Sequence, residues 1–235
     1  MPEQPGAPPN FRRPWHRLVW QVLESLNGDL LARARCWFGG GTRVALELGE
    51  FRESVDVDFL CEDRDGYRIL RSTVTQSSLG DLASRPLELM RDVRADMYGI
   101  RTFLRVDGQP VKFEVIFEGR IPLTGEARNS FPVEVLARPS CFAEKLLANA
   151  DRGRDASANA RDLIDLAFMA AHWPEEDQRA GMATAQSAYG DAVRRELDAV
   201  LSSMNDADYR QRCLDALSVS DTDVLSRGLR ALRQL

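Results

Sequence analysis

Two aspartates one residue apart, Asp56 and Asp58 in "SVDVDFL", are the first residues whose type and spacing suggest chemistry. On a strand, side chains two positions apart share a face, so both carboxylates point one way while Val55, Val57 and Phe59 point the other. Two like charges within a few ångströms repel, and in a half-buried setting that is costly unless a cation lies between them. Hard oxygen donors of this kind suit divalent ions, Mg²⁺ above all. A solvated acidic strand surface would satisfy the same pattern. Upstream, "CWFGGGTRV" sets three glycines, Gly39 to Gly41, between a strand-like run and a helix-like one. Such a turn offers backbone N–H groups and a helix N-terminus to an anion, most naturally a phosphate. A phosphate cradle followed closely by a metal-binding acid pair is the combination that nucleoside triphosphate chemistry needs.

A third acid joins them. In "VKFEVIFE", Glu114 lies between apolar neighbours on a predicted central strand, where a carboxylate without a partner is out of place. Alternation puts Lys112, Glu114 and Ile116 on one face, with Lys112 placed to pair across the sheet. Of 31 basic residues 29 are Arg, so the two lysines, Lys112 and Lys145, stand out. Lys145 can either snorkel beside Glu144 or reach a phosphate as a point charge. In "NARDLIDLAF", Arg161, Asp162 and Asp165 form a narrow polar stripe on an otherwise apolar helix. That stripe reads either as the wall of a polar cleft between domains, or as an Arg161–Asp165 i,i+4 pair beside an aspartate favoured by the helix dipole.

The elements that must position these groups are legible in outline. "WHRLVWQVLESLNGDLLARA" has helical spacing, "CWF" is a short strand, and "TRVALELGE" is a helix with Thr42 near its N-cap and Gly49 near its end. "SVDVDFL" is a strand and "DGYRILRSTVTQSS" contains a short helix. "MYGIRTFLRVDGQPVKFEVIFEGRIPL" is a hairpin whose Asp-Gly pair supplies the positive φ of a tight turn, and "FPVEVL" adds another strand. From Ser140 onward the pattern is helical, with a break at Pro174. The expected fold is α+β: a mixed α/β domain over residues 15–138, a helical domain over 139–235, and a flexible proline-rich arm over 1–14.

Composition removes several classes of function. The net charge of −5 is mild, and neither half is the basic slab of a protein that works by holding nucleic acid through its phosphates, although a local arginine patch leaves such a substrate open. No run approaches eighteen uninterrupted apolar residues and the N-terminus has no apolar signal region, so a cytoplasmic protein without a membrane span is expected. Cys36, Cys61, Cys141 and Cys213 lie far apart with no CxxC pair, which reads as reduced thiols. His16 and His172 are too sparse for a zinc set and read as structural. Ser54 and the cysteines have no His close in sequence, so a nucleophilic hydrolase is a poor fit.

Taken in order, "GGGTRVALELGEFRESVDVDF", "VKFEVIF", "AEKLLA" and "ARDLIDLAF" resemble the AbiEii/AbiGii-type nucleotidyltransferases, toxins with a DNA polymerase β-like domain. The resemblance spans roughly residues 36 to 170. Its motifs are individually weak, and their shared order and approximate spacing give them weight. It implies a polymerase β-like domain with a mixed sheet, and an enzyme that moves an NMP from an NTP onto an acceptor, tRNA or protein, in a toxin–antitoxin or phage-defence system. It implies two Mg²⁺ ions, with Mn²⁺ as an alternative, held by Asp56, Asp58 and Glu114. Catalytic roles fall to these three with Lys145 and Asp162. Nucleotide contacts fall to Gly40, Gly41, Thr42, Arg52, Ser54, Lys145 and Asp165, and a cognate antitoxin is the implied partner. Two positions depart from the pattern: Glu114 where Asp is expected, and Arg43 directly after Gly-Gly-Thr. Other readings of the residues are a nucleotide- or partner-binding module without turnover, and a DxD glycosyltransferase.

Overall fold

The computed structural model of the 235-residue chain describes residues 9–127 and 130–235, so the first eight positions of the expected arm lie outside the described residues. The chain divides into two compact units. The first comprises residues up to 43, 54–119 and 123–136; the second comprises 44–53, 120–122 and 137–235.

The first unit is built on one mixed sheet. In chain order it carries α1 (Pro14–Ser25), α2 (Gly28–Arg33), β1 (Cys36–Phe38), the start of α3 (Gly40–Glu47), β2 (Val57–Cys61), α4 (Arg64–Thr73), β3 (Glu88–Leu89), β4 (Arg94–Ala95), β5 (Gly99–Val106), β6 (Gln109–Phe117), β7 (Gly125–Glu126) and β8 (Val135–Leu136). The strands run β3-β5-β6-β2-β1-β8-β7, with β4 pairing β5 on the outside. β5 and β6 are the expected hairpin. Its turn is Asp107–Gly108, both at positive φ, which is the backbone that a two-residue turn between twisted strands requires. β2 lies parallel to β6 and antiparallel to β1. Alternation along β2 and β6 sends Val57, Phe59, Phe113 and Val115 into a fully buried layer, where Phe38, Phe59 and Phe113 pack ring against ring. α1 packs on β2 and β5 with Val19, Val22 and Leu23 buried. The opposite alternation leaves Asp58 and Glu114 half-buried on the other face.

Two local expectations shift by a few residues. α3 starts at Gly40, so the glycine turn supplies its first residues and Thr42 sits inside the first turn. The strand after it begins at Val57, with Asp56 in the connection just before.

The second unit is helical: α5 (Arg138–Arg152), α6 (Arg161–His172), α7 (Glu175–Tyr189), α8 (Ala192–Ser203), α9 (Ala207–Ala216) and α10 (Thr222–Gln234). Pro139 in the first turn of α5 suits a position whose N–H would lack a helical partner anyway. α5 packs against α6, α7 and α8, and α10 lies along α6. Phe51 stacks on Phe168 at 3.8 Å, which ties residues 44–53 into this unit. All four cysteines are free and buried. Among the described residues, no helix is long and apolar enough to cross a membrane.

Candidate active site

The parallel pairing of β2 with β6 decides where the acids meet. Asp58 and Glu114 are register partners, side by side on one face of the sheet. Glu114 is in turn opposite Arg101 on β5, and Arg101 is opposite Arg94 on β4. On the other side of Asp58, its backbone oxygen accepts the Gly39 N–H at 2.8 Å. One lateral row therefore crosses the sheet: Arg94, Arg101, Glu114, Asp58 and the glycine turn.

Gly40 passes directly against Asp58. Its φ is +67°, and a Cβ built there would collide with the Asp58 carboxylate and lie only 2.9 Å from the Asp58 Cβ. Only glycine combines that backbone with that approach. Within the same unit the Thr42 and Ser54 hydroxyls are hydrogen-bonded at 2.8 Å, and the Ser54 N–H donates to Nε2 of the buried His16 at 3.4 Å. This joins the end of the glycine turn to the segment that leads into Asp56. Arg43 is wholly buried, with Nη2 3.8 Å from Glu126 Oε1.

Glu114 is held by two cations. Lys112 Nζ donates to Oε2 at 2.5 Å, from two positions earlier on the same strand, and Arg101 Nε lies 3.3 Å from Oε1. The Glu114 side chain is 14% exposed. Partial burial works against the Lys112 charge, yet its bond to Glu114 and the nearby Asp56 and Asp58 carboxylates raise its pKa. The Lys112 ammonium is thus within electrostatic reach of all three acids.

The donor set suits a hard divalent cation: carboxylates on neighbouring strands, beside a turn that a Cβ would block. Among the described residues no group of three acidic, His or Cys side chains is gathered closely enough to hold a metal as it stands. The Glu114 oxygens are directed to Lys112 and Arg101.

The expected residues of the helical half come together inside the second unit. Arg52 grips Asp165 with both arms, at 2.6 and 2.8 Å. Lys145 bridges the two aspartates, 2.9 Å from Asp162 Oδ1 and 2.6 Å from Asp165 Oδ2. Arg152 closes the cluster on Asp162 at 2.7 Å. Asp165 is fully buried, and Asp162, Lys145 and Arg52 nearly so. Burial alone would raise the Asp162 carboxyl, but the Lys145 ammonium and the Arg152 guanidinium outweigh it and hold the pKa far below the ordinary range. Burial works to lower Lys145, and the Asp162 and Asp165 charges overcome it and raise it.

Thus the acidic stripe of α6 faces cations of its own unit. Asp165 is taken by Arg52 and Lys145, not by Arg161 one turn away, and Glu144 pairs with Arg120 instead of attending Lys145. Two partners escaped the sequence reading. Arg152 lies seven positions after Lys145, which puts both on one face of α5. Arg101 follows from the hairpin: a two-residue turn at Asp107–Gly108 fixes the register that sets Arg101 opposite Glu114.

Residues 21–230 match the family model described as nucleotidyl transferase AbiEii toxin of a type IV toxin–antitoxin system. No curated protein matches the chain at a significant level. Among solved structures, JHP933 from Helicobacter pylori is 18% identical with a TM-score of 0.46, covering 93% of this chain and 90% of its own. An antigenic nucleotidyltransferase-like protein from Paracoccidioides brasiliensis is 16% identical at a TM-score of 0.36, covering 76% of this chain and 93% of its own. The antibiotic-resistance factor ANT(2'')-Ia is 13% identical at 0.33, covering 84% and 96% respectively. The family match spans most of the chain and contains both clusters described above: the protein is a nucleotidyltransferase and belongs to the AbiEii toxin family.

Proposed function

We propose that the first unit transfers a nucleoside monophosphate from an NTP to an acceptor hydroxyl. The acceptor oxygen bonds to the α-phosphorus, the bond from that phosphorus to the β-bridging oxygen breaks, and pyrophosphate and a proton leave. The observation that carries this reading is the contact of Gly40 with Asp58, whose register partner is the second acid, Glu114. Two Mg²⁺ ions, held by Asp56, Asp58 and Glu114, would supply Lewis acidity at the triphosphate and acidify the attacking hydroxyl. The protein's own part is positional. Backbone N–H groups at Gly40 and Gly41 bind phosphate oxygens, and the paired Thr42 and Ser54 hydroxyls fix the end of that cradle. Lys112 offsets the negative charge of the three carboxylates. The buried ion cluster of the second unit supports a role for Arg52, Lys145, Asp162 and Asp165 in holding that unit together.

The family's toxin–antitoxin designation supports a cognate antitoxin as partner. The test is incubation of the protein with each α-labelled NTP and total RNA or protein, with and without Mg²⁺. Mg²⁺-dependent label on the acceptor is the expected result. NTP binding without any transfer would favour the module that retains nucleotide but has no turnover. Gly40→Ala provides a sharper check of the cradle. Its Cβ must displace the Asp58 carboxylate and its backbone is strained, so turnover should fall at least about tenfold while the fold persists at a cost of about 1 kcal/mol or somewhat more. Unchanged turnover would remove the glycine turn from the site.

A further inference from the structure

A cavity of about 580 Å³ opens on the hairpin side of Glu114, lined by Arg91, Arg94, Arg101, Phe103, Lys112 and Glu114 among others. Its lining sets four cations, Arg91, Arg94, Arg101 and Lys112, against two carboxylates, Asp92 and Glu114, in a protein whose net charge is −5. Arg94 and Arg101 stand directly opposite each other on antiparallel strands, so two guanidinium groups border one space, and Arg101 divides its charge between Asp96 at 3.4 Å and Glu114 at 3.3 Å. Arg91 lies over the Phe103 ring, 4.7 Å from its centre, so a guanidinium plane and an aromatic ring border the same space. Guanidinium groups match phosphate oxygens two at a time, and this set is well suited to a phosphate group. Two of the cavity's cations, Arg101 and Lys112, are the groups that grip Glu114. A phosphate in the cavity therefore competes with Glu114 for the same positive charges.

We propose that this cavity is a phosphate-binding site whose occupation draws Arg101 and Lys112 away from Glu114 and frees that carboxylate for a divalent cation. Phosphate and cation then bind with positive cooperativity through one side chain, and Lys112 is a positioning residue whose ammonium substitutes for the cation until phosphate arrives. The inference rests on the nucleotidyl-transfer reading for the identity of the cation site. The lateral order is also consistent with it: the glycine turn lies at one end of the acid pair and the arginines at the other, as required if leaving group and acceptor approach from opposite sides. Two sources carry such a phosphate: the acceptor, as a phosphodiester next to the attacked hydroxyl, and the NTP.

The test measures Mn²⁺ affinity by the loss of the free-ion electron paramagnetic resonance signal, on the full-length protein, with and without the dinucleotide TpT. TpT carries one phosphodiester and binds Mn²⁺ only weakly. Mn²⁺ should bind about tenfold more tightly when TpT is present, and TpT about tenfold more tightly when Mn²⁺ is present, because coupling is reciprocal. Lys112→Met should raise Mn²⁺ affinity in the absence of TpT and reduce the further gain that TpT produces. Arg94→Glu should abolish the gain. A parallel titration of a non-hydrolysable NTP, without metal, into wild type and Arg94→Glu assigns the source. Weakened NTP binding identifies the nucleotide, and a TpT effect with unaltered NTP binding identifies the acceptor. Protein that binds Mn²⁺ and NTP but responds neither to TpT nor to Arg94→Glu overturns this inference alone. Protein that takes up neither Mn²⁺ nor NTP overturns the nucleotidyl-transfer site and this inference with it.

Discussion

Asp58→Asn is expected to lower nucleotidyl transfer by about three powers of ten, with little change in melting temperature. A carboxylate that orients a catalytic cation contributes several kcal/mol to the transition state, and each 1.4 kcal/mol is about tenfold in rate. The substitution is nearly isosteric and lies on the half-buried face of β2, while the apolar layer formed by Val57 and Phe59 is untouched. It also removes one of two acids that stand side by side in register, which offsets any packing loss. Single-turnover transfer with a labelled NTP, alongside thermal unfolding, separates the two effects. Transfer within tenfold of wild type would refute the assignment of Asp58. An equally severe loss accompanied by unfolding would instead make Asp58 a structural residue.

The second large effect is expected on stability. Asp165→Ala removes the buried carboxylate that Arg52 and Lys145 both grip, and should cost about 3–5 kcal/mol, as loss of one member of a buried ion cluster does. Lys145→Met should cost much less, because Arg52 still grips Asp165 and Arg152 still grips Asp162. Chemical denaturation of both variants checks the order. A similar cost for the two would mean that the cluster is not organised around Asp165. The same cluster sets limits in pH. Asp162 has a lowered pKa, so its contribution is present above the ordinary carboxylate range and is lost as pH falls through its folded value. Lys145 has a raised pKa, so its contribution is complete below the ordinary lysine range and is lost as pH rises through its folded value. Asp162→Asn should therefore lower stability at neutral pH and flatten the acid side of the stability profile. An unaltered acid limb would show that Asp162 does not govern it.

Much of the site could be read from local pattern, because local pattern is encoded at short range. A period of two sets Asp58 against Val57 and Phe59, and Asp107–Gly108 closes a hairpin whose register follows from turn length. Proline and glycine mark where helices begin and end. The order of motifs from the glycine turn to the α6 acids was enough to suggest the family. None of these signals says which strand lies beside which. Asp58 and Glu114 meet because β2 and β6 pair in parallel, a choice made by the burial of Phe59, Phe113 and their neighbours across distant segments. The partners of charged groups were hidden for the same reason. Arg52 finds Asp165 across 113 positions, and an ion pair at that separation leaves no periodic trace in the chain. Arg161, the obvious local partner one turn away, gives way to Arg52 and Lys145 because buried carboxylates require desolvated, closely fitted cations, and packing alone determines which cations reach them.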